Sequence, residues 1–592
     1  MWDFKTSSFI VPRLLPYVGI ALSAVAPLQG AVISARSASL IDVTTAVAMA
    51  KDGDTVLVPA GSATWSNELD ISKAITVKGA TTIDVTIGGL PVDKPYPAPP
   101  YSAANDKTII TRDNQNGGHS VVITASNGKK IRFSGFTFLK GTSKTLQGCI
   151  QVKGVATDSP ATTGVRIDNC HFANVTAADV IHTFGCVFGV MDHCLVESAN
   201  NQLELIWHSA YVEPGAPSGA TRINGEGSWA DDANWGRYKF WFFEDNIVRS
   251  IDLSTNTVKG PGSGAIDCKQ GGRYVLRHSR LFDSEGSTSH GTEGSGNGNT
   301  SAERGMRAAE VYRNNYYQSV SHNAGGELRS GNIMFHDNHF YGAQPNSGIA
   351  LVLFREDEAW AGLGGANGSN SWDQNDPILY ASGLSATASG CNTCGADVVM
   401  TAQGSPGWKP NQWVNYELTN LDQTVARKGL SYNNAKIKSN TANTITTYGV
   451  GTVSFQPTLV WAVGNRFEIR KVLSALDQTG RGKGSYITYS AHMSAGNTLG
   501  RASIWPNQIR EPSFAWNNVI GQSTSSPNLT LHSGYPSIHE NQDFFNRAPQ
   551  AGDPPNSYPY AEYTYPHPLV SGSSSGPAAP EPPTNLQVVP GP

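Results

Sequence analysis

A short pattern of apolar and polar positions recurs along the chain, with unrelated residues between its copies. Each copy is an apolar stretch, a corner rich in Asn or His, and a closing apolar residue. A strand–corner–strand unit cannot bury its apolar face alone, so the copies must stack on one another. The pattern therefore predicts a β-solenoid. The clearest copies read IRFSGFTF (131–138), VRIDNCHF (165–172), WFFEDNIV (241–248), EVYRNNYY (310–317) and IMFHDNHF (333–340).

Strand alternation sorts the eight positions of this repeat by face. Positions one, three and eight are apolar in most copies and are predicted to face the core. Positions two, four and seven are mostly polar and are predicted to face out, where stacked coils would form a ladder suited to an extended polymer. Position four carries Asp168, Glu244, Arg277, Arg313 and His336, and position seven carries His171, Arg280, Tyr316 and His339, with Arg277 and Arg280 from a looser copy, YVLRHSRL (274–281).

The N-terminal segments predict export and a capped solenoid. Lys5 and Arg13 precede an apolar run, residues 14–26, that is too short to span a bilayer and reads as a secretory signal peptide. Asp42 is the predicted N-cap of a short amphipathic helix, which would cover the open end of the solenoid. The apolar face of that helix is Val43, Ala46, Val47 and Ala50.

The run AVAMAKDGDTVLVPAGSATWSNELDISKAITVKGA (46–80) resembles the N-terminal cap and first coil of secreted proteins of the pectate-lyase-like superfamily. Together with the repeats, the resemblance covers roughly residues 35–355 and 500–570. It implies an all-β chain folded as a right-handed parallel β-helix. That superfamily includes polysaccharide lyases, glycoside hydrolases, esterases, phage tailspikes and adhesins, so the resemblance does not select a reaction.

We expect five segments along the 592 residues. The repeat disappears after about residue 356, which predicts a β-rich insertion packed against the side of the solenoid. The segments are a signal peptide (1–30), a parallel β-helix (31–356), a loop-rich β insertion (357–472), a closing β-helix segment (473–570) and a Pro/Ser/Gly-rich linker tail (571–592).

Composition supports β-structure and limits the partners. Charged residues make up 15% of the chain and glycines number 62, which is typical of turns and strands rather than helices. The formal charge of −4 provides no global field for nucleic acid, so we expect no nucleic-acid partner. We expect no transmembrane segment after signal removal, and a secreted or cell-surface location. Cys170 and Cys194 share a repeat position, where either a disulfide or a column of buried thiols would fit.

Charge is concentrated between residues 265 and 330, which hold eight Lys or Arg, seven Asp or Glu and three His. Ile266 and Cys268 are expected to point inward, which puts Asp267 and Lys269 on the outer face. These charges could form a functional cleft, or they could be salt-bridged anchors for loops. The candidate catalytic residues are Asp267, Lys269, Arg273, His290, Glu293, Arg307, Glu310 and Arg329.

Glu310 departs from the repeat because it occupies position one, where other copies are apolar. A carboxylate facing the core would need a partner or a raised pKa. Aromatic residues on the long loop around residues 208–236 could stack on sugar rings or pin the loop to the solenoid. The candidate substrate-binding residues are Arg277, Arg280, Arg313, Tyr316, Trp229, Trp235 and Arg355.

Three functions are compatible with these residues. Elimination at an acidic sugar needs a cation beside the carboxylate and a base beside the proton, roles that Lys, Arg, His or a bound Ca²⁺ could fill. Hydrolysis needs two carboxylates across the glycosidic bond. A binding protein or adhesin would use the same ladder without turnover. We expect a secreted polysaccharide-active protein that cleaves an acidic polysaccharide by β-elimination, with hydrolysis and binding as alternatives.

Overall fold

The structure is a computed structural model, and it describes 24 ranges of the chain. They are residues 30–83, 104–114, 118–126, 128–142, 148–154, 162–173, 179–198, 204–207, 225–255, 257–258, 265–289, 304–320, 325–342, 348–351, 378–388, 397–414, 416–423, 434–448, 459–470, 477–483, 509–521, 529–531, 538–554 and 560–571. The predicted signal peptide and linker tail lie outside these ranges, except at their inner ends. Within the described ranges, no helix reaches the length and hydrophobicity needed to cross a membrane.

Three long parallel sheets, here called A, B and C, run along the solenoid. Sheet A has 12 strands. They are Val32–Ser34, Thr55–Leu57, Thr76–Lys78, Ile131–Ser134, Thr162–Asp168, Val187–Asp192, Trp241–Glu244, Arg273–Arg277, Ala308–Tyr312, Asn332–His336, Ser513–Trp516 and Phe544–Phe545.

Sheets B and C complete each coil. Sheet B consists of Gly61–Trp65, Thr108–Arg112, Thr137–Lys140, His171–Ala173, Leu195–Ser198, Ile247–Asp252, Arg280–Phe282, Asn315–Gln318, His339–Gly342 and Val519–Ile520, with Thr257–Val258 paired antiparallel to one of them. Sheet C consists of Leu69–Ile71, Val121–Ala125, Gly148–Gly154, Asp179–Phe184, Glu204–Trp207, Ile266–Lys269, Ser287–Ser289, Gly326–Leu328, Ile349–Leu351 and Leu529–Leu531. This topology confirms the predicted parallel β-helix.

The core lies between the three sheets and is filled by the inward side chains of their strands. Phe133, Ile167 and Met191 are register partners in sheet A, and all three are buried in one continuous apolar cluster. Cys170 and Cys194 belong to the same cluster as buried free thiols, and the Cys170 amide donates to the Cys194 sulfur at 3.4 Å. Strand alternation thus produces the core that the repeat predicts.

The corners between sheets A and B explain the Asn-rich centre of the repeat. Its fifth residue takes a left-handed backbone, for example Asp337 at φ 53°. The sixth residue is often a buried Asn that bonds to neighbouring coils: Asn338 donates to the Val311 carbonyl at 3.0 Å and accepts from the Asn314 amide at 3.1 Å. Asn518 repeats this arrangement one coil later. The short polar amide satisfies backbone groups that the corner leaves unpaired.

The N-terminal helix spans Leu40–Met49 and covers the first coil with the buried side chains of Val43, Ala46 and Val47. Its N-cap is Ser39, whose Oγ accepts a hydrogen bond from the Asp42 amide at 3.3 Å. The predicted N-cap at Asp42 was therefore wrong, because the helix begins one turn earlier. Among the described residues, two further helices are short, Glu226–Ala230 and Pro568–Ser571.

In sequence order, an antiparallel six-stranded sheet lies between the last two coils. It has its own apolar cluster, which includes Trp413, Ile437 and Phe467. The buried His539 contacts Glu417 of this sheet at 2.6 Å. In spatial order the strands are Ile378–Leu384, Arg466–Arg470, Glu417–Asn420, Asn434–Asn440, Thr444–Thr447 and Val398–Thr401. Two small antiparallel pairs, Thr82–Ile83 with Ala104–Asn105 and Gly480–Gly482 with Ile509–Glu511, complete the strands in the part of the chain that the structure describes.

The repeat containing Glu310 begins one residue earlier than its sequence pattern suggests. Tyr274, Ala309 and Ile333 are register partners, and all three belong to the core. Glu310 instead pairs with Val275 and faces outward. A shift of one residue reverses the face of every side chain in a strand. The prediction that Glu310 faces the core was therefore wrong.

The same shift corrects two candidate substrate-binding positions. Arg313 lies at the corner with φ 56°, and Tyr312 occupies position four in its place. Tyr316 is in the core, where its ring stacks on Phe340 at 4.5 Å between centroids. Tyr316 therefore does not face out, and its predicted contact with a ligand is excluded by its burial.

The C-terminal strap, residues 560–571, runs along the outer face of sheet A. Arg277 donates to the carbonyls of Tyr563 and Thr564 at 2.7 and 2.9 Å, and the His567 amide donates to Glu244 at 2.9 Å. Near the end of the strap, Arg166 donates to the Leu569 carbonyl at 3.3 Å. The outward ladder of position four is therefore covered over these coils, which corrects the prediction of an open, polymer-binding ladder on this sheet.

Candidate functional site

The candidate residues of the charge-dense coils separate into three places. One group supports a loop beside sheet A, a second lies under the C-terminal strap, and a third forms the outer face of sheet C. His290, Glu293 and Arg355 lie outside the described residues. The three places differ in how far their side chains are exposed.

The first group holds the loop at residues 225–237. Arg273 donates to the carbonyls of Asp232 and Ala233, both at 2.7 Å. Arg307 donates to the Asp231 carbonyl at 3.0 Å and forms an ion pair with Glu511. Because Arg273 and Arg307 are fully buried, they act as anchors of this loop, in agreement with the alternative interpretation of the charge cluster.

Trp229 belongs to the same support. Its ring is buried between the guanidinium groups of Arg304 and Arg307, at 5.2 and 5.3 Å, and its Nε1 donates to the Gly305 carbonyl at 2.9 Å. Trp229 therefore pins the loop to the solenoid and does not offer a face for a sugar. Trp235, by contrast, lines an open pocket on the outer face of sheet A.

The second group lies under the C-terminal strap. Glu310 accepts a hydrogen bond from the Gly236 amide at 2.7 Å and one from the Tyr560 hydroxyl at 3.0 Å. Burial raises the pKa of Glu310 to about 7. Arg277 is buried in an ion pair with Glu244, whereas Arg313 is 48% exposed and pairs with Glu562. Arg280 belongs to none of the three places, because it is buried on the outer face of sheet B.

The third group is the outer face of sheet C. Ile266, Cys268 and Leu328 are in the core, so Asp267, Lys269, Glu327 and Arg329 alternate outward. Asp267 and Glu327 are both register partners of Thr288, and strand spacing puts them about 10 Å apart along the sheet. Asp267 is 2% exposed, while Lys269, Glu327 and Arg329 are half-buried. Arg329 pairs with Glu327 at 2.8 Å.

Three further residues of this face were not among the predicted site residues. Lys153 and His182 project outward from earlier sheet C strands, beside the core residues Val152 and Ile181. Glu285 precedes the next strand and is half-buried. Alternation within runs such as IQVKG (150–154) and DVIHTF (179–184) could have indicated the first two. The repeat covers only sheets A and B, so it gave no frame for sheet C.

Two titratable groups of the sheet C face have pKa values that are shifted in opposite directions. This face is defined here by Lys153, His182, Asp267, Lys269, Glu285, Glu327 and Arg329. Burial and the Lys269 charge lower the pKa of His182 to about 4, so its imidazole is neutral at neutral pH. Burial and the Glu327 charge raise the pKa of Glu285 to about 8, so this carboxyl keeps its proton. The face therefore combines a neutral base, a cation and a protonated acid.

Aromatic rings border this face on one side. The His182 ring lies 6.1 Å from Phe184 and 5.7 Å from His119, between ring centroids. Phe184 is exposed, and burial lowers the pKa of His119 to about 3. An exposed ring beside charged groups is suited to a ligand with both polar and apolar surfaces.

Among the described residues, one cluster of potential metal ligands bears on the predicted Ca²⁺ site. His336, Asp337 and Glu562 bring ligand atoms within 4.8 Å of one another. His336 bonds to Asp337 and Tyr560 through its two ring nitrogens, and Glu562 pairs with Arg313. Ca²⁺ takes six to eight oxygen ligands, so this imidazole-containing, internally bonded group does not fit it. We derive no chemical step through a metal.

Comparisons with known proteins give weak matches. No protein-family model and no curated protein matches the sequence. Among solved structures, an alginate lyase from Paenibacillus sp. str. FPU-7 is 12% identical, with a TM-score of 0.25 over 54% of this chain and 95% of that one.

Two phage proteins are similar at the same level. A mutant tailspike protein of E. coli bacteriophage HK620, in complex with a hexasaccharide, is 9% identical, with a TM-score of 0.25 over 72% of this chain and 76% of that one. The tailspike gp49 from Acinetobacter baumannii bacteriophage Fri1, a capsular polysaccharide depolymerase, is 12% identical, with a TM-score of 0.26 over 76% and 87%. The parallel strand order of sheets A, B and C in this chain establishes the fold.

Proposed function

We propose that the protein is a secreted, polysaccharide-active enzyme that cleaves an acidic polysaccharide by β-elimination on the sheet C face. The observation that carries this proposal is that Lys269, a half-buried cation, and His182 lie on the same outer face of sheet C, two strands apart, and that burial and the Lys269 charge lower the pKa of His182 and keep its imidazole neutral. Elimination needs both functions close to one uronate residue.

The proposed step uses this chain's residues in two roles. Lys269 would bind the uronate carboxylate and offset the charge that builds on it when the neighbouring C–H bond breaks. His182 would take that proton. The electron pair of the C–H bond forms the ring C=C bond, and the C–O bond to the leaving sugar breaks. The leaving oxygen takes a proton from water.

Hydrolysis is the second candidate, and one observation favours it. Glu285 and Glu327 are close enough for the Glu327 charge to contribute to the raised pKa of Glu285. A protonated carboxyl near an ionised one is the acid and base pair that glycoside hydrolysis uses. Arg329 would hold Glu327 in place through their ion pair.

The test incubates the full chain with alginate, polygalacturonate and neutral dextran, and follows the ultraviolet absorbance of unsaturated uronate ends alongside new reducing ends. Elimination gives both signals, and only from the uronates. New reducing ends without the unsaturated product would overturn elimination in favour of hydrolysis. Silence in both assays would overturn cleavage and leave binding as the function.

Two variants connect the result to the site. We expect Lys269→Met and His182→Gln each to lower turnover by about 100-fold or more, since a charge or a general base contributes on the order of 10²–10⁴. Lys129→Met is the matched control, because this half-exposed lysine pairs with Asp52 near the N-terminal cap. Equal activity in all three variants would refute the assignment of this face.

A further inference from the structure

A pocket of about 660 Å³ lies on the outer face of sheet A, near the end of the solenoid and away from the sheet C face. Its size is within the range of about 300–1,000 Å³ that is typical of ligand sites. Its lining includes Asp232 and Trp235 of the anchored loop, Phe514 and Trp516 of sheet A, and residues 548–554. Tyr560 of the strap closes one end.

The aromatic rings of this pocket are held in place by their neighbours. Trp516 stacks on His336 with 4.1 Å between centroids and an angle of 8°. The Nε2 atom of His336 forms a hydrogen bond with the Tyr560 hydroxyl at 2.9 Å. The same hydroxyl donates a hydrogen bond to Glu310. Trp235 stacks on Phe240 at 6.2 Å. Rings fixed in this way lose little entropy when a ligand stacks on them.

The charges around the pocket are balanced in pairs. Its lining includes three carboxylates and no Lys or Arg among the described residues. Each carboxylate has a cationic partner outside the lining: Asp232 pairs with Lys483 at 3.1 Å, Asp553 with Arg547 at 2.7 Å, and Glu511 with Arg307. The pocket therefore presents acceptor oxygens and aromatic faces without net charge to attract an anion or a cation.

We infer that this aromatic pocket binds a neutral sugar unit, as a carbohydrate site separate from the sheet C face. A pyranose ring has C–H faces that pack on aromatic rings and hydroxyls that donate to carboxylates. The half-exposed Asp232 carboxylate supplies acceptor oxygens at the mouth of the pocket. Binding here does not depend on cleavage at Lys269.

The experiment titrates the full chain with cellohexaose, maltohexaose and mannohexaose, using calorimetry, with trigalacturonate and choline as anionic and cationic probes. We expect saturable binding of at least one neutral hexasaccharide and no competition by the two charged probes. Binding of a charged probe at this pocket in preference to all three neutral ones would overturn the inference, as would no binding of any neutral oligosaccharide.

Variants locate the binding. Trp516→Ala removes the stacked ring and is expected to weaken neutral-sugar binding about tenfold or more. Ala551→Trp fills the pocket from its exposed wall, so it tests the site without disturbing the Trp516–His336 stack. Tyr448→Ala, at an exposed aromatic residue directly after the strand Thr444–Thr447 of the six-stranded sheet, is the matched control. Binding that survives both pocket variants would refute the site.

Discussion

Glu310 is a carboxyl group that the surrounding loop and strap enclose completely. It lies on the outer face of sheet A, yet it is fully buried between the Gly236 amide and the Tyr560 hydroxyl. Both contacts favour the ionised form, and burial outweighs them to raise the pKa to about 7. The side chain thus joins the loop at residues 225–237 to the strap and is protonated below neutral pH.

This environment predicts a pH-dependent stability for Glu310→Gln. The folded state holds the Glu310 proton more tightly than the unfolded chain, so wild-type stability falls as pH rises from about 4.5 to 7. Glutamine keeps the shape of the protonated acid and cannot ionise. We expect the free energy of unfolding of Glu310→Gln, relative to wild type, to increase by about 3 kcal/mol across that window.

Denaturant unfolding at pH 5 and pH 8 measures this effect. Glu540→Gln, at an exposed carboxyl, is the control and should change little with pH. A relative stability of Glu310→Gln that is the same at both pH values would contradict the proposed burial of the charge.

At the scale of elements, the C-terminal strap determines which outward positions of the repeat are accessible to a ligand. It crosses the outward residues of several sheet A coils, and Arg277 is its central contact, with two strap carbonyls and Glu244 as partners. The strap satisfies polar groups that would otherwise face solvent in an open ladder. Sheet C keeps half-buried charged side chains, and for this reason we assign the chemistry there.

The strap predicts unequal effects for two arginines. Arg277→Met leaves Glu244 buried without its cation, and losing one partner of a buried ion pair costs about 3–5 kcal/mol. Arg313→Met breaks a half-exposed pair with Glu562, which is worth about 1 kcal/mol or less. We expect a lower melting temperature and faster proteolysis within residues 560–571 for Arg277→Met only. Similar losses in the two variants would contradict this account.

At the scale of the whole molecule, several buried groups titrate on opposite sides of neutrality. Burial lowers the pKa of His119, His278 and His567 to about 3 and that of His182 to about 4. Asp106 and Glu197 raise the pKa of His171 to about 9 against the cost of burial. The four histidines with lowered pKa values stabilise the folded state above pH 6.5, and this contribution is lost as pH falls below that value. The contribution of His171 is instead lost as pH rises from 6.5 to 9.

The whole protein is therefore expected to be most stable near pH 6.5. Below pH 6.5, the four histidines with lowered pKa values make the protein less stable as pH falls. They outnumber Glu285 and Glu310, whose raised pKa values make it more stable as pH falls. Above it, His171 and these two carboxyls all favour unfolding as pH rises. Melting temperatures from pH 5 to pH 9 should pass through a maximum, and a melting temperature that keeps rising to pH 9 would contradict this balance.

The sequence by itself determined the stacked coils with their corners, the capping helix and the outward faces of Asp267 and Lys269, because each follows from local alternation or spacing. It also drew attention to the charge-dense coils. Tertiary structure decided the rest. The register across coils turned Glu310 outward and Tyr316 inward, since one residue of shift reverses a strand's faces and only pairing with neighbours fixes that shift. The strap, distant in sequence, buried Arg277 and covered the outward face of sheet A over its coils. We propose ligand binding at the sheet C face, whose described residues lie outside the path of the strap, and at the aromatic pocket, which lies at its Tyr560 end.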